Sequence, residues 1–344
     1  MNRYLKREIT ILSVDGGGIR GLIPAMVLQD LEKRIARKGK ARPLCRVFDM
    51  IAGTSTGSII ALGLSAPAAA ENGSRHPYGK EPLLSTGDIV DLYSERGIEI
   101  FPRRIFNQLQ TVKQAFTEKY NSGQFYSILK QTLGDRTLQD ALTNVLITTY
   151  DMTNDTPLIM KKRPSSMERK KPDPNFYMRD AIMGSSAAPT FFEPVQISTV
   201  DGETEHLLVD GSVFASNPAM CAFVEAQKIF PRARHYTILS LGTGEQVQSY
   251  SKQQIRSWGF IEWVLPLKGV PLASIMNTGQ GKCVNYQLQY LPGVSYHRLN
   301  IPITGCNRSM DDASPQNIEC LKEKARALIQ NHDAQLDSLA RQFA

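Results

Sequence analysis

Residues 53–57 read GTSTG, a serine flanked by single residues and then by glycines. The run FDMIA (48–52) precedes it and SIIALGLSA follows. G-x-S-x-G therefore falls between a strand and a helix, the setting that lifts such a serine above a sheet. Gly53 and Gly57 remove side chains that would clash in so sharp a turn. Ser55 then stands at the N-terminus of the next helix, where the dipole and free amides favour negative charge. The chemistry implied is nucleophilic: a hydroxyl attacking an acyl carbonyl once a base takes its proton.

The base is less obvious. His76, His206, His235, His297 and His332 carry no motif, and each is read as structural. Asp210 ends the apolar run HLLV and precedes Gly211. That is the carboxyl edge, where open α/β sheets place their chemistry. A carboxylate within hydrogen-bond reach of the serine can act as general base; the same pattern also fits an aspartate that caps a turn.

A second glycine turn, DGGGIRG, spans residues 15–21 after the apolar run ITILSV. Gly16, Gly18 and Gly21 satisfy G-x-G-x-x-G, the dinucleotide fingerprint. That reading needs an acid about 20 residues on, and ARKGKARPLC (36–45) has none. A Walker A loop would need a following Lys-Ser or Lys-Thr, also absent. An oxyanion hole needs only amides about 3 Å from a developing charge. Gly17 and Gly18 can supply them if the turns at 16–18 and 53–57 lie side by side.

Positioning these turns requires a sheet. Strands are predicted at 9–14, 48–52, 143–150, 206–209, 235–241 and 296–301, with helices at 22–37, 58–66, 179–187 and 218–230. Ser314 and Pro315 cap one long C-terminal helix. Residues 66–82 read as a surface loop, and 161–174 as a basic, proline-broken loop. This alternation predicts an α/β fold: a mainly parallel central sheet covered by helices on both faces, in three layers. One domain over 1–344 is expected, with a motif-bearing core at about 7–245 and a helical or irregular extension at about 246–344.

The 344 residues carry a formal net charge of +7, a modest excess that suits an anionic partner surface. Cys45, Cys221, Cys283, Cys306 and Cys320 form no C-x-x-C pair, so thiols in a reducing, cytoplasmic setting are expected. No signal-peptide core precedes the first strand. No uncharged apolar stretch reaches the roughly 18–20 residues of a membrane span.

Together these motifs resemble the patatin-like phospholipase family. DGGGIRG resembles its oxyanion motif, GTSTG its nucleophile elbow and DGS (210–212) its D-G-[GA] element; YDMTNDTP, SSAAPTFFEPV, SNPAMCAFVEA and ILSLGTG match as flanks. The resemblance covers about residues 7–245. It implies a phospholipase A-type lipid acyl hydrolase with a Ser55–Asp210 dyad and no metal or cofactor. Gly17 and Gly18, with Gly16, would form the oxyanion hole. Arg20, Gly53, Gly57 and Gly211 would support it, Arg20 by bracing the glycine turn. Ser212 departs from the family's Gly or Ala, with little effect expected, and Asn217 should hold the loop after Asp210.

The resemblance also implies a phospholipid membrane surface as partner, reached peripherally from the inner face, and no nucleic acid polymer. Basic stretches at 102–106 and 161–171 would meet headgroups. Bacterial relatives of this size include antiphage effectors switched on by cyclic dinucleotides. Arg256, Trp258, Trp263 and Lys268 could hold such an activator, although core aromatics are the simpler reading. A homo-oligomer is also expected. Two rival readings are an α/β-hydrolase using a late histidine such as His297, and a nucleotide-binding module using GGGIRG.

Overall fold

A computed structural model describes residues 7–39, 41–70, 77–101, 122–162, 173–189, 192–245, 251–256, 258–259, 263, 271–307 and 309–344. Among the described residues there are ten strands: β1 Glu8–Val14, β2 Met50–Thr54, β3 Pro67–Ala69, β4 Tyr78–Pro82, β5 Asn144–Asp151, β6 Thr156–Lys161, β7 Val195–Ser198, β8 Glu205–Asp210, β9 His235–Leu241 and β10 Val294–Leu299. The helices that matter below are α1 Leu22–Lys38, α2 Thr56–Ser65, α3 Met178–Ser185, α4 Ala219–Ile229, α5 Pro271–Tyr290, α6 Pro315–Asn331 and α7 Asp333–Phe343.

The main sheet has the order β10-β9-β1-β2-β5-β8-β7, with β6 also on β5. From β10 to β5 every pairing is parallel. Strands β6, β7 and β8 join antiparallel, so the sheet is mixed and mostly parallel. Alternation along β1 explains the layers. Leu12 and Val14 enter the cluster formed with Leu22, Leu28 and Ile60 of α1 and α2. Ile9 and Ile11 enter a second cluster with Ala222, Phe223 and Leu288 of α4 and α5. A strand buried on both faces must be mostly apolar, as ITILSV is, with Thr10 and Ser13 its only hydroxyl residues. Ile318, Leu321, Leu336 and Leu339 of α6 and α7 belong to the first cluster, so the C-terminal helices help close the core that carries the motifs.

Several expectations are corrected. Residues 66–82 contain the antiparallel ribbon β3–β4, not only a loop. Strands β6 and β7 are additional to those predicted. The single long C-terminal helix is two, because α6 ends at Asn331 and His332 turns the chain before α7. The expectation of five thiols fails at Cys306 and Cys320. The chain after β10 returns to α6, bringing their Cα atoms to 5.6 Å in a disulfide. Cysteine usage therefore does not argue for a reducing compartment. Cys221 and Cys283 are free thiols. Residues 102–106 and 163–171 lie outside the described residues, as does Lys268. Among the described residues no helix is long and apolar enough to cross a membrane.

Candidate active site

The two glycine turns meet because β1 and β2 are parallel neighbours, with Val14 opposite Gly53. The chain leaves β1 at Asp15 and β2 at Ser55, one strand spacing apart. Glycines set how closely they pack. A Cβ on Gly57 would lie 2.2 Å from the Val14 carbonyl oxygen, and one on Gly16 would lie 3.3 Å from Ser55 Cβ. Gly53 is bound to the same geometry, since its Cβ would strike the Gly57 carbonyl.

Ser55 has φ 54° and ψ −122°, a conformation that is rare for a side-chain-bearing residue and sustained only by its surroundings. Three contacts hold it. Its amide donates to Ser185 Oγ at 2.9 Å, and Ser185 Oγ donates to the Thr148 carbonyl at 2.7 Å. Its carbonyl accepts from the Ser58 amide at 2.8 Å, closing the first turn of α2. The Thr54 hydroxyl meets that of Thr148 at 2.6 Å.

Asp210 reaches the same place by an unexpected route. Strand β8 runs antiparallel to β5, with Asp210 opposite Thr149, whereas β2 runs parallel to β5, with Thr54 opposite Thr148. Strand β6 pairs with residues 146–151 of β5 along one edge, which leaves β2 and β8 to share the other, end to end. Asp210 is thus at the carboxyl edge of β2 because its own strand points back towards it. The Ser55 side chain interacts with the Asp210 carboxylate and helps hold it down, and that carboxylate accepts from the Ser212 amide at 2.7 Å. Burial pushes the Asp210 carboxyl up, and the Ser212 amide with the Ser55 and Ser212 side chains oppose it only in part. A Cβ on Gly211 would lie 2.4 Å from the Thr148 carbonyl, which explains the glycine after Asp210.

The Ser212 side chain is a correction. It helps hold the Asp210 carboxyl down, and its Oγ would lie 2.6 Å from a Gly16 Cβ. It is therefore part of the site. Gly16 is another: its amide donates to the Ser216 carbonyl at 3.1 Å and is not free for an oxyanion. Among the described residues the Gly17 and Gly18 amides have no acceptor. Gly18 has φ 60°, which glycine adopts without strain.

Residues without a motif hold this turn. The Met310 carbonyl accepts from the Ile19 amide at 2.8 Å, inside the loop closed by Cys306–Cys320. Thr243 Oγ1 donates to the Gly16 carbonyl at 2.7 Å. Arg20 braces the turn through Nε to the Gly17 carbonyl at 3.1 Å, and burial lowers its guanidinium to about 10. Arg298 of β10 reaches past β9 to grip Asp15 with two bonds, of 2.9 and 2.5 Å. Asn217 holds the following loop, accepting from the Ala219 amide at 3.0 Å and donating to Tyr296 Oη at 3.2 Å.

The histidine rival fails on geometry. His297 lies on β10, opposite Leu239, and its ring meets Gln335 of α7. Strand alternation points it away from the face that Arg298 uses. His206 pairs with Asp151 at 2.7 Å, His235 with Ser295 and His332 with the Leu328 carbonyl. His76 lies outside the described residues. Trp258 and Trp263 meet edge-on with ring centroids 5.0 Å apart; both are half-buried, not core. A groove of about 420 Å³ bounded by Glu32, Arg42, Pro43 and Leu84 touches none of the site residues.

Residues 12–223 match the family model described as patatin-like phospholipase. Patatin-like protein 2 of Oryza sativa is 32% identical over 96% of this chain and 86% of its own. Patatin-08 of Solanum tuberosum is 30% identical over 94% and 84%. Both alignments run well past residue 245, where the recognisable motifs stop. Among solved structures, VipD from Legionella pneumophila covers 95% of this chain and 67% of that one at 10% identity. Its TM-score of 0.35 is too low to carry an argument.

Proposed function

This chain belongs to the patatin-like phospholipase family, and from that premise we propose that it is a serine lipid acyl hydrolase of the phospholipase A type. One observation carries the reading: the Ser55 side chain interacts with the buried Asp210 carboxylate beside a turn whose Gly17 and Gly18 amides have no acceptor among the described residues. Asp210 takes the Ser55 proton as Oγ bonds to the ester carbonyl carbon. The Gly17 and Gly18 amides receive the oxyanion, a donation typically worth about 3–4 kcal/mol per group. On collapse the carbon–oxygen bond to the lysophospholipid or glycerol breaks, and the leaving oxygen takes the proton from Asp210. Water then attacks the acyl-enzyme, gives its proton to Asp210 and releases the fatty acid as Ser55 is reprotonated.

Burial suits Asp210 to this work, because a raised carboxyl is a stronger base than an exposed aspartate. The enzyme would meet its substrate at a lipid surface, with its net charge of +7 favouring anionic headgroups. The test is hydrolysis of mixed phospholipid vesicles, with released fatty acid and lysophospholipid identified by mass spectrometry. Ser55→Ala and Asp210→Asn should each abolish release while the fold persists; full activity in either sinks the assignment. Running the same assay with and without cyclic dinucleotides tests the proposed switch and, with it, the antiviral role. An unchanged rate removes both and leaves the hydrolase intact.

A further inference from the structure

Helix α5 is apolar on its outer face. Inward, Val284 and Leu288 are buried and Gln280 Oε1 accepts from the Asn217 amide at 3.1 Å. Outward lie Leu272, Met276, Gly279, Cys283, Tyr286 and Tyr290. Leu272 is 45% exposed, Met276 58%, Tyr286 68% and Tyr290 69%, with Ile275 beside them at 48%. The helix carries one charge, Lys282, which is drawn to Glu245 at 3.4 Å. An apolar stripe of this kind on a soluble surface marks an interaction site.

The spacing selects the partner. From Leu272 to Tyr290 the steps alternate between four and three residues, the narrow seam by which one helix packs against another. The series reads the same from either end, with Gly281 at its midpoint. A second copy laid antiparallel about a two-fold axis there sets Leu272 against Tyr290, Met276 against Tyr286 and Gly279 against Cys283. Large residues face large ones, small face small, and no like charges meet in the seam. A Cβ on Gly279, which lies in the seam, would meet nothing within 4 Å, so a facing helix can come close near the centre. A bilayer surface would not require this self-complementary order.

We infer that this face joins two copies of the chain, α5 on α5, as an isologous interface. The seam would cover about 1,000 Å² over both copies, the small end of specific interfaces. A dissociation constant in the micromolar range follows. Through Gln280 and Asn217 the interface would also steady the loop that follows Asp210. Such a dimer does not depend on the reaction proposed above, and its test reads mass, not activity.

Sedimentation velocity of the full chain from about 1 to 100 µM should show a shift from the 38.3 kDa monomer to twice that mass. Met276→Glu and Tyr286→Glu, both at exposed positions, should keep wild-type circular dichroism and weaken the dimer about a hundredfold or more. Under mild oxidation Gly279→Cys should give a covalent dimer through Cys283 of the other copy, lost when Cys283→Ser is added. A monomer at every concentration overturns the inference. So does a dimer that neither glutamate weakens, or one that gives no cross-link. A monomer that binds anionic vesicles only when Met276 is intact would assign the face to lipid instead.

Discussion

Replacing Gly57 by alanine should separate the two turns without touching either proposed reacting group. The new Cβ would lie 2.2 Å from the Val14 carbonyl oxygen, 2.8 Å from its carbon and 3.0 Å from the Asp15 carbonyl oxygen. These neighbours are backbone, so no rotamer relieves the contact. Restoring van der Waals distance requires about 1 Å of movement between β1 and the start of α2. The Gly17–Gly18 amides ride on one side of that gap and Ser55 on the other. Misplacement by about 1 Å can slow a reaction a hundredfold, or about 2.7 kcal/mol in the barrier. Overpacking should also lower stability by about 1–3 kcal/mol. Gly63→Ala is the matched control on the same helix, because its nearest neighbours, Ile89 Cδ1 and Leu84 Cδ1, lie at an ordinary 3.4 Å. It should gain up to about 1 kcal/mol from helix propensity and keep kcat within twofold. The assay is hydrolysis of a soluble short-chain p-nitrophenyl ester, alongside thermal melts. A folded Gly57→Ala enzyme with kcat within threefold of wild type would refute the reasoning.

Asp210→Asn should raise the melting temperature near neutral pH. A raised carboxyl favours the folded state while protonated, and that contribution is lost as pH rises through the folded-state pKa. The difference from wild type should therefore vanish below about pH 3.9, the unfolded value. Ser212→Ala removes a side chain that helps hold the Asp210 carboxyl down, so the acid limb of the pH–rate profile should move to higher pH; an unmoved limb counts against that contribution. Arg298→Met leaves Asp15 buried without its partner, so kcat should fall about tenfold or more with KM little changed, and Arg298→Lys should restore part of it. Cys306→Ser opens a loop of 14-residue separation and should cost about 3 kcal/mol in chemical denaturation.

Motifs made some of this legible. GTSTG and DGGGIRG each place glycines where a Cβ would strike backbone or a neighbouring side chain, and those needs are local enough to read. The same holds for Asp210-Gly211. What could not be read is the direction of β8: the run HLLV before an aspartate looks like one more parallel strand, and only pairing with β5 shows otherwise. Arg298 has no local signal, since its partner Asp15 lies 283 residues away. Met310 and Thr243 act through a backbone carbonyl and a common hydroxyl, which no pattern distinguishes. The Gly16 amide looks as available as its neighbours until Ser216 folds beside it. His332 breaks the last helix without a glycine or proline to announce it.

The abutment of β2 and β8 along one edge of β5 makes a single peptide link, from Thr148 to Thr149, the ruler for the whole assembly. Thr54 is registered to one side of it and Asp210 to the other. A one-residue slip of either strand would shift its end by about 3.3 Å and turn its side chains to the opposite face. Alignment of the serine with its carboxylate is consequently digital. The two strands are either in register and hydrogen-bonded, or a full step apart and silent, with no partly tuned state between.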